Sequence, residues 1–415
     1  MYKKTVLSNG LRVVTEKIPS VRSISLGIWV EVGSRYETPK ENGMSHLIEH
    51  MLFKGTKKRS AKKIAQELES VGGNLNAFTS KEHTCYTARI VDEHLEIATD
   101  VLADMTCNSR LAPNHLAMEK KVILEEIKES LENPSDHIHD LFSETIWRNQ
   151  AIGRPILGDM ESVSSIQRSN IVSYMKNYYR TGAIVIAAAG NISHQKLVDL
   201  VKDKFTFPEG NSNTAYPITP PEKNETTFTN NSNAQVHLCL GFTGPKYDSK
   251  LRMPALVVNT YLSGGMSSVL FQKVREQKGL AYSVYSFLDL YKDSGLFGTY
   301  AGTDKNRAAE CIDIILKEFD KLKKRRISSL NLKQIKDQFK GQFALGMESS
   351  SARMNRTARM ELYLGIFKTF DQTIRDIEKV TSSEVLEYAN LTLNRNKMAL
   401  AVLGPANKSD IKKVL

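Results

Sequence analysis

The sequence predicts two related α/β domains joined by a linker, on three observations. The chain has 415 residues, and one hydrophobic core rarely serves more than about 250–300. Stretches with the two-residue alternation of strands interleave with stretches of helical spacing. The two sides of the chain also resemble each other across a polar segment, Phe207 to Glu225, which carries Pro208, Pro217, Pro220 and Pro221 and reads as a linker. Domains are therefore expected over residues 1–210 and 226–415.

Taken in order, Thr5 to Val14 reads as a β-hairpin turning at Asn9-Gly10. Ser23 to Val32 alternates apolar and polar residues as a strand does, and Thr84 to Ile90 does so more weakly. Ser60 to Val71 reads as a helix, with Ser60 as its cap, Ile64, Leu68 and Val71 on one face, and Gly72 ending it. Asp92 to Cys107 and Pro113 to Glu132 are further helices, the second opening on proline.

The internal repeat rests on particular residues. Tyr174 precedes Gly190 by sixteen residues, and Gly190 closes the apolar strand Ala183–Ala189; Tyr388 precedes Gly404 by the same interval, and Gly404 closes Met398–Leu403. Upstream, Gly43-Met44-Ser45 has a counterpart in Gly265-Met266-Ser267, and the Gly43–Gly190 and Gly265–Gly404 separations are 147 and 139 residues. We read a duplication of one unit; the alternative is coincidence between common strand–glycine signals. The copies differ at one place. After the shared triplet the first half continues His46-Leu47-Ile48-Glu49-His50, the second Ser268-Val269-Leu270-Phe271-Gln272.

Composition is that of a globular protein, 41% hydrophobic and 25% charged. A net charge of +11 invites a nucleic-acid reading. The dense basic runs, Lys57-Lys58-Arg59 and Lys323-Lys324-Arg325-Arg326, are short and do not alternate with aromatic residues. They read as solvated helix ends, and no nucleic-acid partner is expected. Cys85, Cys107, Cys239 and Cys311 lie far apart with no CxxC pair, which argues for a reducing compartment and against a structural cysteine–zinc site. The first residues lack a signal-peptide core, and the Ala183–Ala189 run is too short to span a bilayer. A cytoplasmic protein without a membrane span is expected.

On a helix, positions four apart share a face, so the imidazoles of His46 and His50 can converge on one ion. Glu49 then lies beside that ion rather than on it, which suits a general base. This is the HxxEH order, the reverse of HExxH. The alternative is a surface helix with two solvated histidines, but Leu47, Ile48, Met51, Leu52 and Phe53 predict a buried one, where unpaired polar groups are costly. A catalytic zinc needs a third ligand. The helix Pro113–Glu132 offers Glu119 and Glu126, two turns apart on one face, with Glu125 pointing elsewhere.

With these motifs the chain resembles the insulinase/pitrilysin family of metallopeptidases, and within it the processing-peptidase branch of shorter chains. The resemblance covers almost the whole chain. It implies zinc held by His46, His50 and Glu126, with Glu126 standing 76 residues after His50 and Glu119 supporting seven residues earlier. Gly72 to Ser80 resembles the family's edge strand, so Asn74, Asn76, Ala77 and Phe78 are expected to bind a peptide substrate as an added β-strand. Arg275 and Tyr282 resemble the second-half pair that serves the scissile carbonyl; without the family they would read as a solvated helix residue and a strand residue. Asp136 and Asp140 stand where processing-type relatives hold an arginine of the substrate, and the alternative is a helix cap and a solvated carboxylate. The implied fold is α+β: two homologous α/β sandwich domains with antiparallel-rich sheets, together half of a peptidase clamshell. A homodimer or heterodimer with a homologous chain is implied to complete it. The implied activity is zinc-dependent endopeptidase cleavage of peptides or unfolded segments, and the alternative is a non-catalytic partner subunit of the same family.

Overall fold

A computed structural model describes residues 1–212, 218, 225–231 and 234–415. Most of the expected linker, including Pro217, Pro220 and Pro221, lies outside the described residues.

Two mixed sheets carry the fold. The first half contributes β1 (Tyr2–Val6), β2 (Arg12–Lys17), β3 (Ser23–Val30), β4 (Asn74–Thr79), β5 (Thr84–Val91) and β6 (Ile184–Gly190), in spatial order β1-β2-β6-β3-β5-β4. The second contributes β7 (Glu225–Thr229), β8 (Val236–Gly244), β9 (Ala281–Leu290), β10 (Gly295–Thr303) and β11 (Ala399–Leu403), in order β7-β11-β8-β10-β9. Each sheet has one parallel pair, β2–β6 and β7–β11, and is otherwise antiparallel. The hairpin β1–β2 turns at Gly10, whose φ of +89° is the left-handed conformation an Asn-Gly turn supplies.

Helices repeat in the same order. In the first half β3 leads to α1 (Met44–Leu52) and α2 (Ala61–Glu69). After β5 come α3 (Leu95–Asn108), α4 (Pro113–Glu132), α5 (Pro134–Ile146), α6 (Met160–Ser165) and α7 (Arg168–Tyr178), and after β6 comes α8 (His194–Lys204). In the second half α9 (Arg252–Ser263) precedes a π-helical turn, Phe271–Glu276. After β10 come α10 (Ala308–Lys324), α11 (Ser329–Gly346), α12 (Ser350–Leu364), α13 (Phe370–Glu378) and α14 (Ser382–Thr392), and α15 (Lys408–Val414) follows β11. The repeated glycines have a physical reason. Gly190 and Gly404 have φ of +137° and +121°, and a Cβ there would stand 2.0 Å from the Ser23 carbonyl and 2.6 Å from that of Gln235. Only glycine ends these strands without moving the neighbouring one.

The chain divides into two compact units, Met1–Lys128 with Arg154–Tyr216 and Leu345–Phe367, and Glu129–Gly153 with Pro217–Ala344 and Lys368–Leu415. The equivalent helices α5 and α12 are thus exchanged: α12 packs on β2, β3 and β6, and α5 on β7, β8 and β11. A division at the linker alone, 1–210 and 226–415, would part α5 and α12 from the sheets they pack on. In the first unit Trp29 Nε1 donates to Met354 Sδ at 3.3 Å, and Ser25 bonds the hydroxyls of Ser350 and Ser351 at 2.9 Å each. In the second, Ile138, Phe142 and Ile146 bury against Cys239, Tyr300 and Leu403. The opposite face of each sheet holds the main core of its unit. Among the described residues no helix is long and apolar enough to cross a membrane.

Candidate metal centre

Helix α1 is fixed from its start by a residue outside it. Gly43 precedes the helix at φ +91° and has no side chain to cap it. The Glu37 carboxylate does so instead, accepting from the Gly43 N–H at 2.8 Å and the Ser45 N–H at 2.7 Å. Burial pushes Glu37 up to about 7, and these donors pull the other way. Met44, Leu47, Ile48, Met51 and Leu52 are completely buried in the core, so α1 does not lie on the surface. His46 and His50 remain on its other face, with side chains only 13% and 19% exposed.

Helix α4 brings the carboxylates. Leu116, Ile123 and Ile127 are buried, and Glu119 with them. Glu126 Oε2 lies 3.9 Å from His46 Nε2 and 3.7 Å from His50 Nε2, beyond hydrogen-bond range. One ligand atom from each of these three residues lies within 4.8 Å of the other two. Although the Glu126 side chain is 37% exposed, its Oε2 is enclosed and, among the described residues, has no hydrogen-bond partner. Ligands on arms of about 2.0–2.1 Å around a tetrahedral zinc stand about 3.3 Å apart. The trio is slightly wider than that, and an ion would relieve the orphaned oxygen, so these residues fit a metal. Glu125, by contrast, is 71% exposed and pairs with Lys128 at 2.7 Å.

The surroundings put the histidines in their ligand form. Glu119 Oε2 is 3.2 Å from His50 Nδ1, and its Oε1 is 2.9 Å from Lys54 Nζ. A proton on Nδ1 shared with that carboxylate leaves the lone pair on Nε2, toward Glu126. Burial, with His50 adding to it, lowers His46 to about 4, so its ring is neutral at pH 7. Glu49 stands beside the trio and accepts from Thr79 Oγ1 at 2.6 Å. Burial raises its pKa, and the Thr79 bond opposes that.

Strand β4 is the last strand of its sheet, and among the described residues no strand pairs with its outer edge. Asn74, Asn76 and Phe78 point outward and are exposed, while Leu75, Ala77 and Thr79 form the half-buried row. In the second unit, Arg275 lies on the π-helical turn between the rings of Phe271 and Tyr282, 4.7 and 4.8 Å from their centroids, and donates to the Tyr282 carbonyl at 2.9 Å. Tyr282 itself is 79% exposed. Asp136 and Asp140 share a face of α5; Asp136 accepts from Asn133 Nδ2 at 2.7 Å, and Asn133 is the cap of that helix.

Sequence reasoning did not single out Glu37, Lys54 or Thr79. The only sequence signal for Glu37 is a helix that opens on glycine, with no capping side chain at its start.

The chain is similar to known proteins along almost its whole length. Residues 12–160 match the family profile described as Insulinase (Peptidase family M16), and residues 165–339 match the one described as Peptidase M16 inactive domain. The chain is 41% identical to the uncharacterized zinc protease YmxG of Bacillus subtilis over 407 residues, covering 98% of this chain and 99% of that one. Its fold is similar to the crystal structure of a protease from Helicobacter pylori, with a TM-score of 0.91 at 23% identity, covering 98% of this chain and 100% of that one. It is also similar to a chain of Complex III2 from Candida albicans, with a TM-score of 0.86 at 20% identity and 99% of each chain covered.

Proposed function

The chain belongs to the insulinase family, peptidase family M16, and from that premise we propose that it is a zinc-dependent endopeptidase cleaving peptides or unfolded segments. The observation that carries this reading is the convergence of His46, His50 and the enclosed, unpartnered Glu126 Oε2 on one point. Zinc held by these three residues would polarise the scissile carbonyl and make a water acidic enough to give up a proton near neutral pH. Glu49, half-buried beside the trio, takes that proton and returns it to the leaving amine. Glu119 keeps His50 in the tautomer whose Nε2 is free to ligate. Asn74, Asn76, Ala77 and Phe78 offer the edge on which an extended peptide adds as a further strand. Arg275 and Tyr282 are proposed as oxyanion donors, Asp136 and Asp140 as the partners of a substrate arginine, and a homologous second subunit as the other half of the enclosure.

The silent-subunit alternative fits this chain less well. The profile described as inactive matches residues 165–339, where the shared triplet leads into Ser268 and Gln272, and the metal trio lies outside that range. Digestion of a peptide library by purified protein, with and without a chelator and beside Glu49→Gln, tests the reading. Chelator-sensitive cleavage absent from Glu49→Gln is expected; cleavage unaffected by either would overturn it.

A further inference from the structure

Strand β4 bonds the proposed base directly. Thr79, its last residue, donates from Oγ1 to Glu49 Oε2 at 2.6 Å. We propose that Thr79 is a positioning residue for Glu49, so that the strand offered to substrate also sets the base; this rests on reading Glu49 as the base.

Strand periodicity makes the hydroxyl conspicuous. Thr79 belongs to the half-buried row with Leu75 and Ala77, both packed against the main core of the unit. That row asks only for an apolar or β-branched side chain. Valine would fill the place of threonine with nearly the same shape, so packing explains the branch and not the oxygen. The oxygen has a chemical use. A glutamate side chain has three rotatable bonds, and a donor on Oε2 fixes the carboxylate in one orientation while leaving the lone pairs of Oε1 for a proton.

The second unit gives an independent observation. Ala189 precedes Gly190 and pairs with Ser25, as Leu403 precedes Gly404 and pairs with His237. Five residues on, Val30 and Phe242 are equivalent; their partners are Thr84 and Phe297, and the partners of those are Thr79 and Leu288. Thr79 thus corresponds to Leu288, which packs against the second core. In the unit without the metal motif the same place on the strand is filled by an apolar chain, so the fold itself does not ask for a hydroxyl there.

The test compares Thr79→Val, Thr79→Ser and Glu49→Gln for kcat, KM, zinc content and thermal midpoint. Thr79→Val should lower kcat roughly tenfold to hundredfold, the worth of one hydrogen bond to a charged group, with KM, zinc content and thermal midpoint little changed. Thr79→Ser, which keeps the hydroxyl, should recover most of the loss. Full activity in Thr79→Val beside an inactive Glu49→Gln overturns the role of Thr79 alone. Equal loss in Thr79→Ser and Thr79→Val, with an early melt in both, overturns it in favour of packing. An active Glu49→Gln overturns the reading of the base instead.

Discussion

The segments that follow Gly43-Met44-Ser45 and Gly265-Met266-Ser267 begin alike and end as different structures. The first is a regular α-helix whose buried face carries Leu47, Ile48 and Met51 and whose other face presents His46, Glu49 and His50. The second turns π-helical over Phe271–Glu276. A wider turn re-aims the side chains that follow, and Arg275 comes to rest between Phe271 and Tyr282. The strand order of the two sheets is kept apart from the extra edge strand β1, and a glycine of positive φ closes both β6 and β11. Packing is therefore shared by the copies, while chemistry belongs to the few polar positions each copy kept or lost.

The largest effects should separate the copies completely. His50→Ala should lose zinc and activity together, because two remaining ligands hold the ion poorly. Gln272→Ala, at the same distance from the second triplet, should leave zinc and activity unchanged. Within α4, Glu126→Gln should lose the metal and Glu125→Gln should keep it, since Glu125 is exposed and pairs with Lys128. Metal analysis of the purified variants checks all four. Zinc retained by Glu126→Gln and lost by Glu125→Gln would shift the ligand assignment by one residue.

A second comparison concerns the exchanged helices. Met354 on α12 and Phe142 on α5 are both buried, each against the sheet of its own unit. Met354→Ala and Phe142→Ala should each cost about 2–5 kcal/mol in denaturant unfolding, the range for large core truncations. A cost under about 1 kcal/mol at either site, the level of an ordinary surface substitution, would mean that its helix does not cover its sheet.

These outcomes also mark what the sequence could disclose. Sequence patterning located the β1–β2 hairpin, β3, β5, β6 and β11 and the helices α1 to α4, while most elements of the second half were not read. The helix read over Ser60–Val71 forms over Ala61–Glu69, with Ser60 accepting from the Lys63 N–H at 3.2 Å. The one read from Asp92 opens as a 3-10 turn and becomes α-helical at Leu95. The candidate metal residues were legible in two parts: helical spacing puts His46 beside His50 and Glu119 beside Glu126, and the family resemblance picked out Glu126 as the third ligand. The exchange of α5 and α12 was not legible: amphipathicity says that a face is buried, not which sheet buries it. Glu37 and Thr79 were hidden for a similar reason. Each acts on α1 from another element, through contacts that no local pattern encodes.

A third, smaller effect falls on the second copy. Arg275→Ala and Tyr282→Phe should each lower kcat at least tenfold, as loss of an oxyanion donor does, with zinc content unchanged. Arg275 is held by two rings and a carbonyl, so Arg275→Lys, which keeps the charge and loses the planar fork, should recover little. Steady-state kinetics beside metal analysis separates this from damage to the first copy. A fall in kcat that tracks lost zinc would sink the assignment.

The smallest effect concerns α5, encoded in the first half yet part of the second unit. Asp136 and Asp140 flank His139, whose Nε2 lies 2.8 Å from the Tyr285 hydroxyl. Asp136 is engaged at one oxygen by Asn133 Nδ2 at 2.7 Å, which is how a carboxylate serving only the helix start would look. A carboxylate accepts at two oxygens, however, and the contact with Asn133 occupies one. If the pair receives a guanidinium, a peptide with arginine near the scissile bond should be cleaved with a higher kcat/KM than its alanine version. The gain should be modest, since an exposed ion pair contributes roughly 0.2–1 kcal/mol, and salt should weaken it. Asp140→Asn should remove more of the preference than Asp136→Asn, because Asp140 is the less exposed and a less hydrated charge attracts more strongly. Equal rates on both peptides with the unmutated enzyme would reduce Asp136 to the partner of a helix cap and return the specificity to strand addition along β4.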